Sequence, residues 1–158
     1  KAFEQLFGYY CEIIREGASI HNITFHTIKG ELENRLHKEL ICSAGGSYIT
    51  VMSDGNIFSC AHLMNDSQYI IGNINDVKGI DLNSYNFTPK KVTEINECQN
   101  CWAKNLCNGG CPSQKVSLGK TAYEAFPKEE CELNRIMYEF YIKLYYVYKS
   151  TKAAKSGE

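Results

Sequence analysis

The sequence predicts a small, irregular α+β fold, with helices at both ends, an antiparallel β-hairpin between them, and irregular cysteine-rich loops. Three observations predict it. Apolar residues recur at helical spacing near each end of the 158-residue chain. Asp54-Gly55 stands between two short β-like runs. Residues 98 to 131 hold five of the 8 cysteines and show little periodicity, so burial of side chains alone would hold that segment poorly.

From Ala2 to Glu16 the apolar positions Phe3, Leu6, Phe7, Tyr10, Cys11 and Ile14 line one face of a helix, which Gly17 stops. Ser19 to Ile28 is a β-branched and aromatic run containing Ile20, Ile23, Thr24 and Phe25, and it reads as a strand. Lys29 to Glu39 is charged, either a short helix or a connecting loop. Ser47 to Ser53 and Asn56 to Cys60 are two strands joined at Asp54-Gly55, where glycine accepts the positive φ of a tight turn. Tyr69 to Ile74 is a further strand. Asn75 to Glu97 reads mostly as loop with one short helix. From Glu132 onward Leu133, Ile136, Met137, Phe140, Tyr141, Leu144 and Val147 mark a final helix, and the small polar tail from Thr151 to Glu158 is expected to fray.

The length suits about one domain, and no internal repeat or low-complexity linker divides it. Lys plus Arg is 17 and Asp plus Glu is 18, a net charge of -1 that gives no general attraction to nucleic acid or an anionic membrane. No apolar run approaches the roughly 20 residues that span a bilayer, and no leader pattern precedes the first helix, so a soluble cytoplasmic protein is expected. Because Lys1 stands inside a helical pattern already under way, the chain is expected to be a piece of a longer protein.

The cysteines carry the chemistry. Cys98-x2-Cys101-x5-Cys107-x3-Cys111 places four thiols on one short loop, with Gly109-Gly110 before the last of them. That spacing lets several sulfurs turn inward while the glycines bring backbone amides close to a metal or inorganic sulfide. Disulfides explain it less well, since they would close only tiny loops. Cys42, Cys60 and Cys131 read as recruited to the same purpose. Seven cysteines leave one position open in two four-coordinate sites, for solvent, a histidine, a substrate atom or Cys11. Cys11, on an apolar helix face, reads as a core residue. His37 and His62 are possible imidazole ligands or ordinary polar residues, and His21 and His26 lack ligand spacing.

The full pattern, Cys42-x12-Gly55-x4-Cys60, then Cys98-x2-Cys101-x5-Cys107-x3-Cys111, then Cys131, resembles the seven-cysteine SPASM domain, an extension of many radical S-adenosylmethionine (SAM) enzymes that mature peptides and proteins. Cys-Ser-Ala-Gly at 42 to 45, Ile-Gly-Asn-Ile at 71 to 74 and the run from Cys101 to Cys111 are similar to members that modify ribosomal peptides. The resemblance implies two auxiliary 4Fe-4S clusters. Cys42, Cys60 and Cys111 would hold the first; Cys98, Cys101, Cys107 and Cys131 would hold the second. It also implies a division into a linker helix and strand over 1–41, the auxiliary-cluster domain over 42–150 and a flexible tail over 151–158. The implied partners are the radical SAM barrel of a parent chain and a substrate peptide or protein.

Departures from the pattern narrow that expectation. Sulfatase-maturing relatives place a cluster cysteine where Leu36 stands and a proton-accepting aspartate where Ala61 stands. Their absence favours thioether-type peptide modification and an iron left open for a substrate thiolate, unless Cys11 or His37 closes it. The radical-generating Cys-x3-Cys-x2-Cys motif does not occur, because Gln114 stands where its third cysteine would be. The chain is therefore not expected to be catalytic alone, and S-adenosylmethionine would belong to the missing barrel. Trp102 and the Gly109-Gly110 turn are candidates for the shell around the clusters, Trp102 being equally a core residue. The rival readings are sulfatase-type protein modification, a structural zinc module for protein interaction, since spacing cannot tell iron from zinc, and a plain electron-transfer ferredoxin.

Overall fold

The computed structural model describes residues 2–34, 42–45, 47–77, 80, 91–121 and 124–156. The chain forms two compact units, one from residues 1–37 with 128–158 and the other from 38–127.

The first unit is helical. Helix α1 (Ala2–Glu16) follows its apolar spacing and buries Cys11 and Ile14. It ends at Gly17, whose φ of 80° lets its own N–H reach the Ile14 carbonyl at 3.1 Å while Ala18 N–H reaches Ile13 at 3.1 Å. The strand expected over Ser19 to Ile28 is instead the start of helix α2 (Ile23–Asn34). A pleated strand would put Ile23 and Phe25 on the same face. Here Ile23 is 85% exposed and Phe25 is 1% exposed, with Ile28 buried one helical turn on. Asn22 decides the outcome locally, its side-chain oxygen accepting Phe25 N–H at 2.9 Å as a helix cap. That cap and the buried face outweigh the weak β preference of the branched residues. The charged stretch is helical to Asn34, and its remainder, with Leu36 and His37, lies outside the described residues.

Helix α6 (Lys128–Ser156) closes this unit against α1 and α2. Phe140 and Leu144, four residues apart, sit with Ile14, Ile20 and Phe25 in one core. Phe140 collects the rings of Phe3, Phe7 and Tyr10 at centroid distances of 5.8, 5.9 and 6.3 Å. The helix passes Thr151, where the sequence predicts a fraying tail, and runs to Ser156. Lys155 Nζ helps hold that last turn by donating to the Arg15 carbonyl at 3.1 Å.

The second unit is built on a three-stranded antiparallel sheet in the order β1-β2-β3, formed by Thr50–Val51, Asn56–Phe58 and Ile70–Asn73. The predicted hairpin is present, with Thr50 opposite Phe58 and Val51 opposite Ile57. Gly55 turns it at φ 86°, and Asp54 accepts the Asn56 N–H at 3.0 Å. The strands are shorter than the sequence predicts, because Ala61–Leu63 and Ser67–Tyr69 wind into 3-10 turns. Ile57, Phe58, Cys60, Leu63, Tyr69, Ile71 and Ala44 form the core, and Val116 packs onto it.

The cysteine-rich segment is a chain of single turns, with a 3-10 turn at Val92–Glu94 followed by α3 (Asn96–Gln99), α4 (Lys104–Cys107) and α5 (Pro112–Ser117). Its few buried apolar side chains, Val92, Ile95, Ala103 and Pro112, explain the lack of periodicity. The α+β class is as the sequence predicts. No described helix is long and apolar enough to cross a membrane.

Candidate metal centre

Between Ile95 and Lys115 each cysteine stands at a corner of the backbone. Cys98 N–H bonds to Ile95 O at 2.9 Å, Cys101 N–H to Cys98 O at 3.1 Å and Cys107 N–H to Ala103 O at 2.8 Å. Cys107 O then accepts Gly110 N–H at 2.9 Å, and Cys111 O accepts Lys115 N–H at 3.2 Å. The main chain thus satisfies these backbone polar groups within the segment. Cys98, Cys101 and Cys107 are half-buried and Cys111 is exposed.

Asn108, Gly109 and Gly110 follow with φ values of 49°, 76° and 78°, three left-handed residues in succession that only this composition makes inexpensive. Gly110 is needed for a second reason: a Cβ there would lie 1.8 Å from Phe126 Cε2. The Lys115 side chain is wholly buried with its ammonium 5.8 Å from the same ring's centroid. A positive charge inside the loop suits a site assembled from thiolates.

Cys42 and Cys60 meet around Tyr48. The Tyr48 hydroxyl is 3.8 Å from Cys42 Sγ, and Ala44 N–H points to the same sulfur at 3.4 Å. Loss of solvent around the hydroxyl, then the adjoining Cys42 and Cys60 thiols, push the Tyr48 phenol above its usual range. Cys60 is buried in the hairpin core and stands at the start of the Ala61–Leu63 turn. Cys111 immediately precedes α5, whose Val116 packs on the core that contains Cys60. Its Sγ shares a 3.0 Å hydrogen bond with the Ser113 hydroxyl, and it lines a cavity together with His62.

Cys131 lies in the first turn of α6 in the helical unit and is half-buried. Cys11 is a buried core residue as expected, and burial pushes its thiol up, toward the protonated form. Trp102 is 55% exposed, which removes the core-packing reading of that residue. Sequence reasoning missed Tyr48, Ser113 and Lys115; only Ser113, two residues from a cysteine, carried a signal that could have found it.

No disulfide joins any of the eight cysteines, all of which are among the described residues. Among those residues no three His, Cys, Asp or Glu side chains converge on a single-ion position. A cluster makes a different demand, because each cysteine binds its own iron. Two buried polar atoms beside the cysteines, Ser59 Oγ and Asn108 Oδ1, have no hydrogen-bond partner among the described residues. Turn-borne thiols, N–H and O–H groups on their sulfurs, and these orphaned atoms fit a sulfur-ligated inorganic group.

Comparison with known proteins agrees with that chemistry. Residues 42–102 match the family model of SPASM, an iron-sulfur cluster-binding domain. The chain is also 29% identical over 77 residues to a serine-type anaerobic sulfatase-maturating enzyme of Klebsiella pneumoniae. That stretch covers 47% of this chain and 19% of the relative. Residues 42–102 therefore resemble an iron-sulfur cluster-binding domain.

Proposed function

We propose that this chain holds two auxiliary 4Fe-4S clusters within a radical SAM enzyme that matures peptides by forming thioethers. Cys42, Cys60 and Cys111 would hold the first cluster, and Cys98, Cys101, Cys107 and Cys131 the second. The observation that carries the reading is the SPASM match over residues 42–102, which contains Cys42, Cys60, Cys98 and Cys101. When bound, such clusters supply one-electron transfer and a site where a substrate can be engaged. The chain's own groups have definable tasks. Ala44 N–H donates to the Cys42 sulfur, the Ser113 hydroxyl shares a hydrogen bond with the Cys111 sulfur, the hairpin core keeps water from Cys60, and the buried Lys115 would offset thiolate charge.

The proposed partners are the radical SAM barrel of a parent chain, which would bind S-adenosylmethionine, and a substrate peptide. A reducing cytoplasm suits thiols that must stay available for iron. Anaerobic reconstitution followed by iron, sulfide and zinc analysis tests the reading. About eight irons and eight sulfides per chain are expected for two 4Fe-4S clusters; zinc without sulfide would instead establish a structural zinc module.

Sulfatase-type protein modification is the second reading, favoured by the name of the Klebsiella relative. Ala61 stands against it, since that position offers no carboxylate to accept a proton. Mass spectrometry of peptide products from the parent enzyme separates the two. A thioether consumes a substrate thiol and blocks its alkylation, whereas oxidation of a serine leaves cysteine thiols alkylatable.

A further inference from the structure

A cavity of 390 Å³ in the second unit is lined by His62, Cys111, Ser113, Gln114 and Ser117. Two of these are metal-ligating side chains, and they come from different segments. His62 lies on the 3-10 turn that begins at Cys60, and Cys111 opens α5. The short turn therefore carries Cys60 into the core and His62 out to the cavity that Cys111 shares.

We propose that His62 is the fourth protein ligand of the first cluster, joining Cys42, Cys60 and Cys111 through an imidazole nitrogen. This rests on the cluster reading above. Three cysteines serve three irons, and imidazole is a competent ligand for the remaining one. Cys11 is a poor rival, being sealed in the helical unit. Ser113, already bonded to Cys111 Sγ, and Gln114 add polar groups to the cavity that holds both ligands. The assignment changes the chemistry expected of the site. A neutral imidazole in place of a fourth thiolate leaves one negative charge less, which raises the reduction potential. A substrate thiolate would then have to displace His62 to reach iron.

The test uses the whole chain, reconstituted anaerobically with iron and sulfide, reduced, and studied by pulsed electron paramagnetic resonance with nitrogen-15 histidine labelling. The expected result is a histidine nitrogen coupling to the cluster that is lost in His62→Ala and retained in His37→Ala. His62→Cys is expected to keep full iron content and to lower the potential of one cluster. A chain with two full clusters and no histidine coupling overturns the proposal, as does a coupling lost in His37→Ala and kept in His62→Ala. Because the labelled unsubstituted chain reports the coupling directly, a misfolded alanine variant does not protect the idea. Failure to take up iron and sulfide at all overturns the cluster reading itself, and the ligand assignment with it.

Discussion

Substituting Gly110 by alanine tests the structural account of the cysteine loop most directly. The residue sits at φ 78°, and an added Cβ would lie 1.8, 2.7 and 2.8 Å from Cε2, Cδ2 and Cζ of Phe126. The left-handed backbone costs an L-residue roughly 1–2 kcal/mol. Displacing a ring that is half-buried and also faces the Lys115 ammonium costs roughly 1–3 kcal/mol as an overpacking change. Gly110→Ala is therefore expected to lose about 2–5 kcal/mol, a large share of the roughly 5–15 kcal/mol that holds a domain together. With a urea slope of about 2 kcal/mol per molar, the unfolding midpoint falls by about 1–2.5 M, read anaerobically by circular dichroism. Combining it with Phe126→Ala removes the clash but leaves the backbone strain, so a double-mutant cycle should return about 1–3 kcal/mol of coupling. A loss below about 0.5 kcal/mol, or the absence of coupling between the two sites, refutes the packing described.

Other perturbations probe the remaining parts. Asn22→Ala removes the cap on Phe25 N–H and the hydrogen bonds that join Asn22 to Tyr10 and Tyr141 at 3.2 Å each, and is expected to cost about 1–2 kcal/mol in thermal unfolding. Asn22→Asp should recover the capping part. Leu144→Ala, at a position with 0% exposure, should cost about 2–5 kcal/mol, while Leu144→Met stays below about 1.5 kcal/mol. The Lys152 ammonium, 5.1 Å from the centroid of the Tyr148 ring, and more weakly Lys29 hold that phenol below its usual range against the opposing effect of burial. Its folded value is thus depressed, so its contribution to stability is present above the unfolded value of about 10 and vanishes as pH falls through the folded one. The ultraviolet titration difference between the chain and Tyr148→Phe should show a midpoint below 10, moved upward by Lys152→Met. Changing Cys60 or Cys101 to serine should each remove about half of the reconstituted iron, since the two are assigned to different clusters.

What could be read from the chain depended on how local its cause was. The hairpin was legible because Asp54 and Gly55 determine the turn between them, and α1 and α6 were legible from repeated apolar positions. Ser19 to Ile28 misled because branched residues favour strands in general, while Asn22 and the burial of Phe25 and Ile28 decide this case. The cysteine spacing announced sulfur chemistry, yet it could not disclose that Tyr48 joins Cys42 and Cys60 or that Phe126 fills the space a larger residue at 110 would need. Both contacts depend on how distant segments pack. Neither leaves a mark in spacing.

The same packing bears on why Cys107 and Cys111, only four residues apart, are assigned to different clusters. A continuous helix would stack positions i and i+4 on one face and send both sulfurs to the same place. Here Asn108, Gly109 and Gly110 interrupt it with three left-handed residues, so that Cys107 closes one turn while Cys111 opens α5. Among the described residues, Cys111 lines the cavity with His62 and Cys107 does not. The reversal thus breaks the helical stacking that would have paired the two thiols, and the Phe126 ring lies against it at Gly110. A substitution that restores helical backbone at residues 108–110 should therefore damage both clusters at once, even though it touches no cysteine. If Gly109→Ala with Gly110→Ala left iron content and both cluster spectra unchanged, the loop would not be what divides the seven cysteines.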